Sequence, residues 1–368
     1  MRKKLQLFIA ALLLGTGFTG GSLNAQSCGV GAPSQQWEEA FSKQVELYLR
    51  DKQAVKSSAP HTIPVVVHII HFGEAVGTFP NIDSNQVKSQ IAALNDDFAG
   101  NGFNSSNVPS AFASLKVNTN IKFCLAATNY SGAPMLEKGI NRVNAANQAN
   151  WQSPATPTLD LKNHFNSTII PATIWDPTRY LNIWVSDRPA TLTLNGFGTY
   201  PPQSGLVGLF AGQYGTPTND GVWIYGRAFG TIGAATAPTD KGRTATHEIG
   251  HWLGLRHIWG DGNCLSDYAN DTPPSKAAHT GCVPVPTPID VCGVGQSPNG
   301  EMPMNFMDRS DDACMYMFTP DQNVRMHTAL SISPQRNLLG THGLCNPFPA
   351  PASSSAVAAF VTNSAQCV

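Results

Sequence analysis

The chain has 368 residues, of which 42% are hydrophobic and 13% are charged, and this is enough apolar material for one large or two small domains. Its formal net charge of −1 excludes the strong positive charge with which proteins bind nucleic acids or anionic membrane surfaces. No apolar stretch reaches the ~18 residues that a transmembrane helix needs, so the sequence predicts no membrane span.

The amino terminus has the features of a secretory signal peptide. Residues 1–4 are basic at three positions, residues 5–14 are mainly apolar, and small residues precede a cleavage position after Ala25. We therefore expect residues 1–25 to be removed and the mature protein to be secreted. Export would allow disulfide bonds among its eight cysteines.

Residues 26–58 are polar but carry apolar side chains at helical spacing, at Trp37, Phe41, Val45 and Tyr48. The predicted helix is either the first helix of the main domain or part of a prosegment. Its position before the first strand favours a prosegment, followed by a main domain at 59–345. Residues 346–368 are rich in Pro, Ala and Ser, which is typical of a tail, and Cys345 and Cys367 are a candidate disulfide that closes it.

A sheet with helices is predicted after residue 60. Residues 63–70 form a β-branched apolar run, typical of a strand buried on both faces, so His68 and His71 are expected in the core or at a strand end. A helix with Asp83 or Ser84 as its N-cap would bury Val87, Ile91, Leu94 and Phe98. Further strands are predicted at 116–125, 180–185 and 221–225.

The stretch HEIGHWLGLRH is the most informative part of the chain. On a helix of about 3.6 residues per turn, His247 and His251 stand one turn apart on the same face, with Glu248 beside them. Gly254 can adopt a positive φ, end the helix and turn the chain so that His257 approaches from another side. Three histidines with an open fourth position predict a catalytic zinc site with Glu248 as the general base.

A second motif, NFMDRSDDACM, lies downstream and contains Met307. The pattern HExxHxxGxxH followed by a Met-turn marks metzincin peptidases. The fuller sequence resembles the pappalysin family, in particular its small microbial, ulilysin-like branch, at Gly260-Asp261, Asp271-Thr272-Pro273, Phe318-Thr319, Gln322 and Arg325-Met326. The resemblance implies an α+β metzincin zincin fold: a twisted mixed sheet with helices in an upper subdomain, and an irregular, disulfide-clamped lower subdomain. Met307 would form an apolar floor under the metal.

Four of the cysteines lie between residues 264 and 314, and the sequence alone allows three pairings among them. The resemblance implies that Cys264 pairs with Cys292 and that Cys282 pairs with Cys314. These disulfides would clamp the Pro-, Gly- and Asp-rich segment between the zinc helix and the Met-turn.

Cys28, followed by glycine, is similar to the cysteine switch of metzincin zymogens, in which a thiolate occupies the zinc and excludes the catalytic water. The alternative is that Cys28 forms a disulfide, with Cys124 as the candidate partner.

Arg309 follows the Met-turn methionine by two residues, where many relatives have a tyrosine that binds the metal or the reacting oxyanion. A cationic Arg309 could stabilise an oxyanion in its place. Asp311 and Asp312 come next, in a region that in this family helps to line the pocket for the residue after the cleaved bond. An acidic wall predicts a preference for Arg or Lys there; alternatively, both are solvated turn carboxylates or caps of the next helix.

Two further stretches have candidate roles. Asp267, Asn270, Asp271 and Thr272 offer oxygen ligands that suit calcium, which the resembled family binds in this loop; the alternative is an ordinary turn. Residues 195–201 lie where zincins border the cleft, and their backbone could pair with an extended substrate. The alternative there is an ordinary glycine-rich loop.

Together these features predict a secreted zinc-dependent endopeptidase acting on protein or peptide substrates, with no nucleic acid partner. One alternative is a zinc-retaining pseudo-peptidase that serves as an extracellular binding module, against which the intact Glu248 argues. The other is a metallohydrolase of esters or glycan-linked amides, against which the Met-turn argues. The sequence does not indicate an oligomeric state.

Overall fold

The computed structural model describes residues 28–52, 60–202 and 213–346, so the predicted signal peptide, most of the tail and Cys367 lie outside the described residues. The strands within these ranges are β1 (His61–His71), β2 (Ile121–Leu125), β3 (Ile140–Asn144), β4 (Leu181–Ser186), β5 (Gly196–Gly198) and β6 (Val222–Tyr225). They form one sheet in the order β2-β1-β4-β6-β5, with β3 beside the second half of β1. All pairs are parallel except β5 with β6, so the mixed sheet is confirmed.

The helices of the described residues are α1 (Gln35–Lys52), α2 (Ser84–Phe98), α3 (Leu161–His164), α4 (Ile170–Thr173), α5 (Arg243–Trp252) and α6 (Pro320–Ile332). A π-helical turn, Phe165–Ile169, joins α3 to α4. The carboxylate of Asp83 accepts hydrogen bonds from two backbone amides at the start of α2, and the predicted apolar face of this helix is buried. No helix of the described residues is long and apolar enough to cross a membrane.

The central strand β1 is buried on both faces, as its composition predicts. Ile63, Val65, Val67 and Ile69 enter the core beneath α2 and α5, whereas Val66 and Ile70 enter two smaller clusters on the opposite face. His68 is a core residue. Its ring is fully buried and hydrogen-bonded to Asn182 and Asn141, at 2.9 Å in each case.

One predicted strand is wrong in its first half. The strand expected at 116–125 begins only at Ile121. Before it, Oδ1 of Asn118 accepts a hydrogen bond from the amide of Asn120 at 2.8 Å, and Asn120 has a φ of 58°. This local turn, which asparagine side chains favour, replaces the extended conformation that the alternating pattern suggested.

The described stretch between α5 and α6 has no regular strand and only one short 3-10 turn, Asp312–Cys314, as expected for an irregular lower subdomain. The disulfides Cys264–Cys292 and Cys282–Cys314 are confirmed. They connect segments that have little backbone hydrogen bonding of their own.

A third disulfide joins Cys124 on β2 to Cys345. The sequence-based suggestions that Cys124 pairs with Cys28 and that Cys345 pairs with Cys367 are therefore wrong. The physical reason is the route of the chain after α6, which returns to the edge of the sheet, where the amide of Ala127 donates to the carbonyl of Leu344 at 2.8 Å. Cys28 is a free cysteine.

Candidate active site

The helix that carries the zinc motif, α5, begins in a buried network of charges. Gly242, with a φ of 78°, turns the chain into the helix. Oδ2 of Asp312 accepts hydrogen bonds from the amides of Lys241 (2.9 Å) and Arg243 (3.1 Å), which stabilises the positive end of the helix dipole. The Arg243 guanidinium pairs with buried Asp97 at 2.9 Å. Sequence reasoning missed this support because its members lie far apart in the chain.

The three histidines of the motif meet at one point. His247 and His251 project from the same face of α5, which ends at Trp252. Gly254 has a φ of 91°, as predicted, and the chain then returns with His257. Nε2 of His251 lies 3.1 Å from Nε2 of His247 and 3.1 Å from Nε2 of His257.

Each imidazole ring is oriented by a hydrogen bond at its other nitrogen. The partners of Nδ1 are the carbonyl of Phe306 for His247 (2.7 Å), the carbonyl of Leu255 for His251 (2.8 Å) and the carboxylate of Asp261 for His257. Because these oxygens are acceptors, each Nδ1 is the donor. Each Nε2 therefore presents a lone pair to the centre.

This arrangement fits a metal ion. Burial lowers the pKa of all three rings, that of His247 to about 4, so the imidazoles are neutral. Neutral rings that carry their proton on Nδ1 cannot hydrogen-bond to one another through Nε2, and their lone pairs repel unless a cation lies between them. Zinc–nitrogen bonds of about 2.0–2.1 Å in a tetrahedral site put ligand nitrogens roughly 3.3 Å apart, close to the separations seen here.

Glu248 lies beside this centre and is fully enclosed. Burial raises the pKa of its carboxyl group to about 8, against the opposing effects of a hydrogen bond from Cys28 and the charges of Arg309 and Lys162. Gly196 on β5 faces this carboxylate, and a Cβ there would lie 2.6 Å from Cγ of Glu248. Glycine at position 196 thus makes room for the acid, a role that sequence reasoning did not identify in the GFG stretch.

Cys28 completes the cluster. Its sulfur and one ring nitrogen from each of the three histidines all lie within 4.8 Å of one another. The thiol, whose pKa is raised by burial and by the nearby Glu248, donates to Oε2 of Glu248 at 3.5 Å. The next residue, Gly29, donates its amide to the carbonyl of Gly196 (2.9 Å) and accepts from Nζ of Lys162 (2.7 Å). The backbone around Cys28 thereby pairs with the edge strand β5.

Met307 is fully buried and packs against Gly250 on α5, the helix that carries His247 and His251. A Cβ on Gly250 of α5 would lie 2.4 Å from Sδ of Met307, so the Met-turn packs directly on the helix. The same turn supplies the carbonyl of Phe306 that orients His247. The turn therefore supports the site both by packing and by hydrogen bonding.

Arg309 lies close enough to His247 and His257 that, in addition to burial, its charge lowers the pKa of both rings. Its guanidinium group stands over the ring of Trp259, 5.1 Å from the ring centroid. Trp259 in turn stacks on His257, with ring centroids 4.2 Å apart. The positive charge of Arg309 thus faces an aromatic ring that stacks on His257.

The two carboxylates after the Met-turn have different environments. Asp312 is fully buried and bound to the start of α5, whereas Asp311 is partly exposed. Burial raises the pKa of Asp311. Of the three residues predicted to line a substrate pocket, Arg309 and Asp311 are partly exposed, whereas Asp312 is buried and bound to α5, so Asp312 cannot line the pocket.

Side-chain oxygens of Asp267, Asp271 and Thr272 in the candidate calcium loop hydrogen-bond to other groups of the protein, whereas Asn270 does so through its backbone amide. The hydroxyl of Thr272 donates to both oxygens of Asp267, at 2.9 and 2.8 Å. Asp271 instead accepts from the hydroxyl of Thr319 (2.7 Å) and from the amide of Asp321 (2.8 Å), at the start of α6. The backbone amide of Asn270 donates to Oδ2 of Asp321 at 2.9 Å. The loop thus anchors α6, and calcium binding there stays a prediction.

Known proteins that are similar to this chain are metalloproteases, and the matched family model covers the residues of this site. The family model described as Pregnancy-associated plasma protein-A matches residues 164–331, which include the three histidines, Glu248 and Met307. An extracellular metalloprotease of Verticillium alfalfae is 46% identical over 98 residues, which are 26% of this chain and 34% of that protein. The chain therefore spans about a third of the length of the first curated relatives that it matches.

Solved structures match over a longer range. Mature mirolysin from Tannerella forsythia, in complex with a cleaved peptide, is 36% identical with a TM-score of 0.65; the match covers 79% of this chain and 100% of that chain. A promirolysin mutant from the same organism is 34% identical with a TM-score of 0.66, and covers 88% of this chain and 100% of that chain. With its mixed sheet, zinc motif and Met-turn, the chain belongs to the pappalysin-type family of metzincin metallopeptidases.

Proposed function

We propose that this chain is the latent form of a secreted zinc-dependent endopeptidase. The observation that carries the proposal is the convergence of three neutral imidazole nitrogens beside the buried carboxylate of Glu248. This donor set leaves a fourth position for the reacting groups once Cys28 is removed, as in catalytic rather than structural zinc sites. Relatives named extracellular metalloproteases support both the reaction and the secretion, with residues 1–25 as the signal peptide.

The residues of the site have distinct roles in peptide hydrolysis. His247, His251 and His257 hold the ion through Nε2, and their Nδ1 hydrogen bonds keep the rings in place. Zinc, when bound, polarises the scissile carbonyl and makes a water molecule more acidic. Glu248 accepts the proton of the attacking water and passes it to the leaving nitrogen.

Two neighbouring groups complete the proposed mechanism. Arg309 would stabilise the negative charge that develops on the carbonyl oxygen, in the role that a tyrosine has in many relatives. β5 is the last strand in the sheet order, and the carbonyl of Gly196, which now accepts from Gly29, would bind an extended substrate after maturation. The cleaved peptide held by mature mirolysin supports a peptide as the ligand.

Latency is proposed to come from Cys28. The thiolate is a strong zinc ligand, and this sulfur lies within 4.8 Å of the histidine nitrogens, where the catalytic water is needed. Removal of residues 26–58 would then free the site. A preference for Arg or Lys after the cleaved bond remains a prediction, with Asp311 as the carboxylate that would recognise the basic side chain.

The proposal is tested by digesting a mixed peptide library with the chain after limited trypsin cleavage of the prosegment and inactivation of the trypsin. The zinc content of every sample is measured. We expect cleavage that a zinc chelator abolishes and that Glu248→Gln lowers by about 10²- to 10⁴-fold while zinc is retained. Equal cleavage by Glu248→Gln, or no cleavage by a trimmed chain that holds zinc, would refute the proposal.

A further inference from the structure

The helix α1 carries one buried carboxylate that the zinc site does not use. Glu38 is fully buried, whereas its neighbour Glu39 is exposed and hydrogen-bonded within the helix to Gln35 at 2.8 Å. Burying a carboxylate is costly unless opposite charge and hydrogen bonds compensate for the lost hydration. The position of Glu38 therefore depends on its partners in the rest of the chain.

These partners are two arginines that follow the zinc motif in the chain. Oε2 of Glu38 accepts a hydrogen bond from Nη2 of Arg325 on α6 at 2.6 Å, and Oε1 lies 3.8 Å from Nε of Arg256. The side chain of Arg325 is 2% exposed and that of Arg256 is 9% exposed. The ring of Tyr268 faces both guanidinium groups, 5.8 Å from Arg325 and 5.7 Å from Arg256. Two buried cations thus face one carboxylate, and one aromatic ring lies against both cations.

Without Glu38, the guanidinium group of Arg325 would have no carboxylate hydrogen-bonded to it. Nη2 of Arg325 also donates to the carbonyl of Gly254 at 3.1 Å, but Nε and Nη1 are buried without a hydrogen-bond partner. Asp267 interacts with Arg325 only through space, because its oxygens accept from other groups. Among the described residues, Glu38 is therefore the carboxylate that is hydrogen-bonded to Arg325.

The side chains that flank Glu38 on α1 are bound as well. Trp37 packs against the ring of Tyr200, with centroids 5.6 Å apart. Phe41, one turn further along, covers the guanidinium of Arg325 at 4.7 Å. The helix thus presents an acid between two aromatic side chains, and all three are fully buried.

The pocket is also close to the metal ligands. Nε of Arg256 lies 3.4 Å from Oδ2 of Asp261, the residue whose other carboxylate oxygen bonds to His257. Glu38 and Asp261 therefore share one guanidinium group. Arg256 therefore connects the Glu38 pocket to the carboxylate that orients His257.

We propose that Arg325, Arg256 and Tyr268 form a carboxylate-binding site for an acidic, aromatic helix, and that Glu38 of α1 is its built-in ligand. This site holds the prosegment independently of Cys28, so the prosegment has two anchors. The inference rests on the proposed function only in taking α1 to be part of the prosegment. It does not depend on peptide hydrolysis.

The test uses the full-length chain with Glu248→Ala to prevent self-cleavage and Cys367→Ser to leave Cys28 as the free thiol. The rate at which iodoacetamide labels Cys28 then reports how often the prosegment lifts. We expect Glu38→Gln to raise this rate about tenfold or more, because it removes the charge that both arginines bind. The matched control, Glu39→Gln, should stay within about twofold of the parent chain, because its carboxylate is exposed.

Zinc content and circular dichroism are measured on each variant to separate lifting of the prosegment from unfolding of the chain. If Glu38→Gln unfolds the chain, Glu38→Asp and Glu39→Asp are compared instead, because aspartate keeps the charge but withdraws it from Arg325. Faster labelling of the position 38 variant supports the second anchor. Equal labelling of the variants at positions 38 and 39 overturns it, whether or not the trimmed chain cleaves peptides.

Discussion

Gly250 on the zinc-binding helix and Met307 in the Met-turn are in such close contact that a Cβ on Gly250 would lie 2.4 Å from Sδ of Met307. Both residues are buried at the floor of the site. The absence of a side chain at position 250 thus allows the helix that carries His247 and His251 to approach the turn whose Phe306 carbonyl orients His247.

Adding a methyl group at this contact should destabilise the fold. We expect Gly250→Ala to cost about 1–3 kcal/mol in the free energy of unfolding, because the added methyl group would overlap the buried sulfur of Met307 and force it or the helix to move. Urea unfolding of the chain in the Glu248→Ala background measures this cost. Met307→Ala should relieve part of it, so simple addition of the two effects in the double variant would contradict the proposed contact.

Replacing Cys28 should partly activate the untrimmed chain. Cys28→Ser removes the sulfur that lies beside the histidines, but the hydrogen bond from Gly29 to Gly196 and the packing of α1 remain. We expect a gain of about tenfold in peptide cleavage, which corresponds to about 1.4 kcal/mol, and a further gain on trimming. Glu39→Gln serves as the latent control. An untrimmed Cys28→Ser chain as inactive as this control would show that the thiol does not hold the site closed.

The carboxylate of Asp261 should strengthen zinc binding through His257. Asp261→Asn keeps an acceptor near Nδ1 but removes its charge, so the zinc affinity should fall by about 10- to 100-fold. Competition with a chromophoric chelator measures the affinity. Asp240→Asn, which changes a partly exposed carboxylate paired with Lys241, is the control and should leave the affinity unchanged. Equal zinc affinities of the two variants would show that the carboxylate of Asp261 does not strengthen zinc binding.

His279 should make the fold more stable at mildly acidic pH. Burial alone would lower its pKa, but the hydrogen bond to Asp308 and the charges of Asp308 and Glu301 outweigh burial and raise it. A raised folded-state pKa means that this stabilisation is fully present below pH about 6.5 and is lost as the pH rises through the folded-state value.

Urea unfolding of the parent chain and of His279→Gln, from pH 6 upward, measures this dependence. The difference in unfolding free energy between the two chains should shrink as the pH increases. Taking the difference removes the contribution of the other titrating groups. A difference that stays constant with pH would show that His279 does not titrate in this way.

Local patterns in the sequence were sufficient to predict that the three histidines of the motif meet at one point. The spacing of His247 and His251 follows from the helical repeat, and Gly254 is needed to turn the chain so that His257 can return. The composition of β1 likewise indicates a strand buried on both sides. In each case the physical cause lies within about ten residues, so the sequence predicts it directly.

Contacts between residues that lie far apart in the chain could not be predicted from local patterns. Asp312 stabilises the start of α5 from 69 residues away, and Cys124 pairs with Cys345 across 221 residues. The space that Gly196 leaves for Glu248 exists only once two separate elements have packed together. The helical spacing of Trp37, Phe41, Val45 and Tyr48 puts Glu38 nearer the apolar face of α1 than Glu39, but it does not reveal the two arginines that face Glu38, because they lie far away in the chain.

The central claim is that the three histidines and Cys28 meet at one zinc ion, and zinc-edge X-ray absorption of the untrimmed chain tests it most directly. The account predicts three nitrogen ligands at about 2.0–2.1 Å and one sulfur at about 2.3 Å, with the sulfur absent in Cys28→Ser and after trimming. A zinc ion without sulfur in the untrimmed chain, or with fewer than three nitrogen ligands, would contradict it.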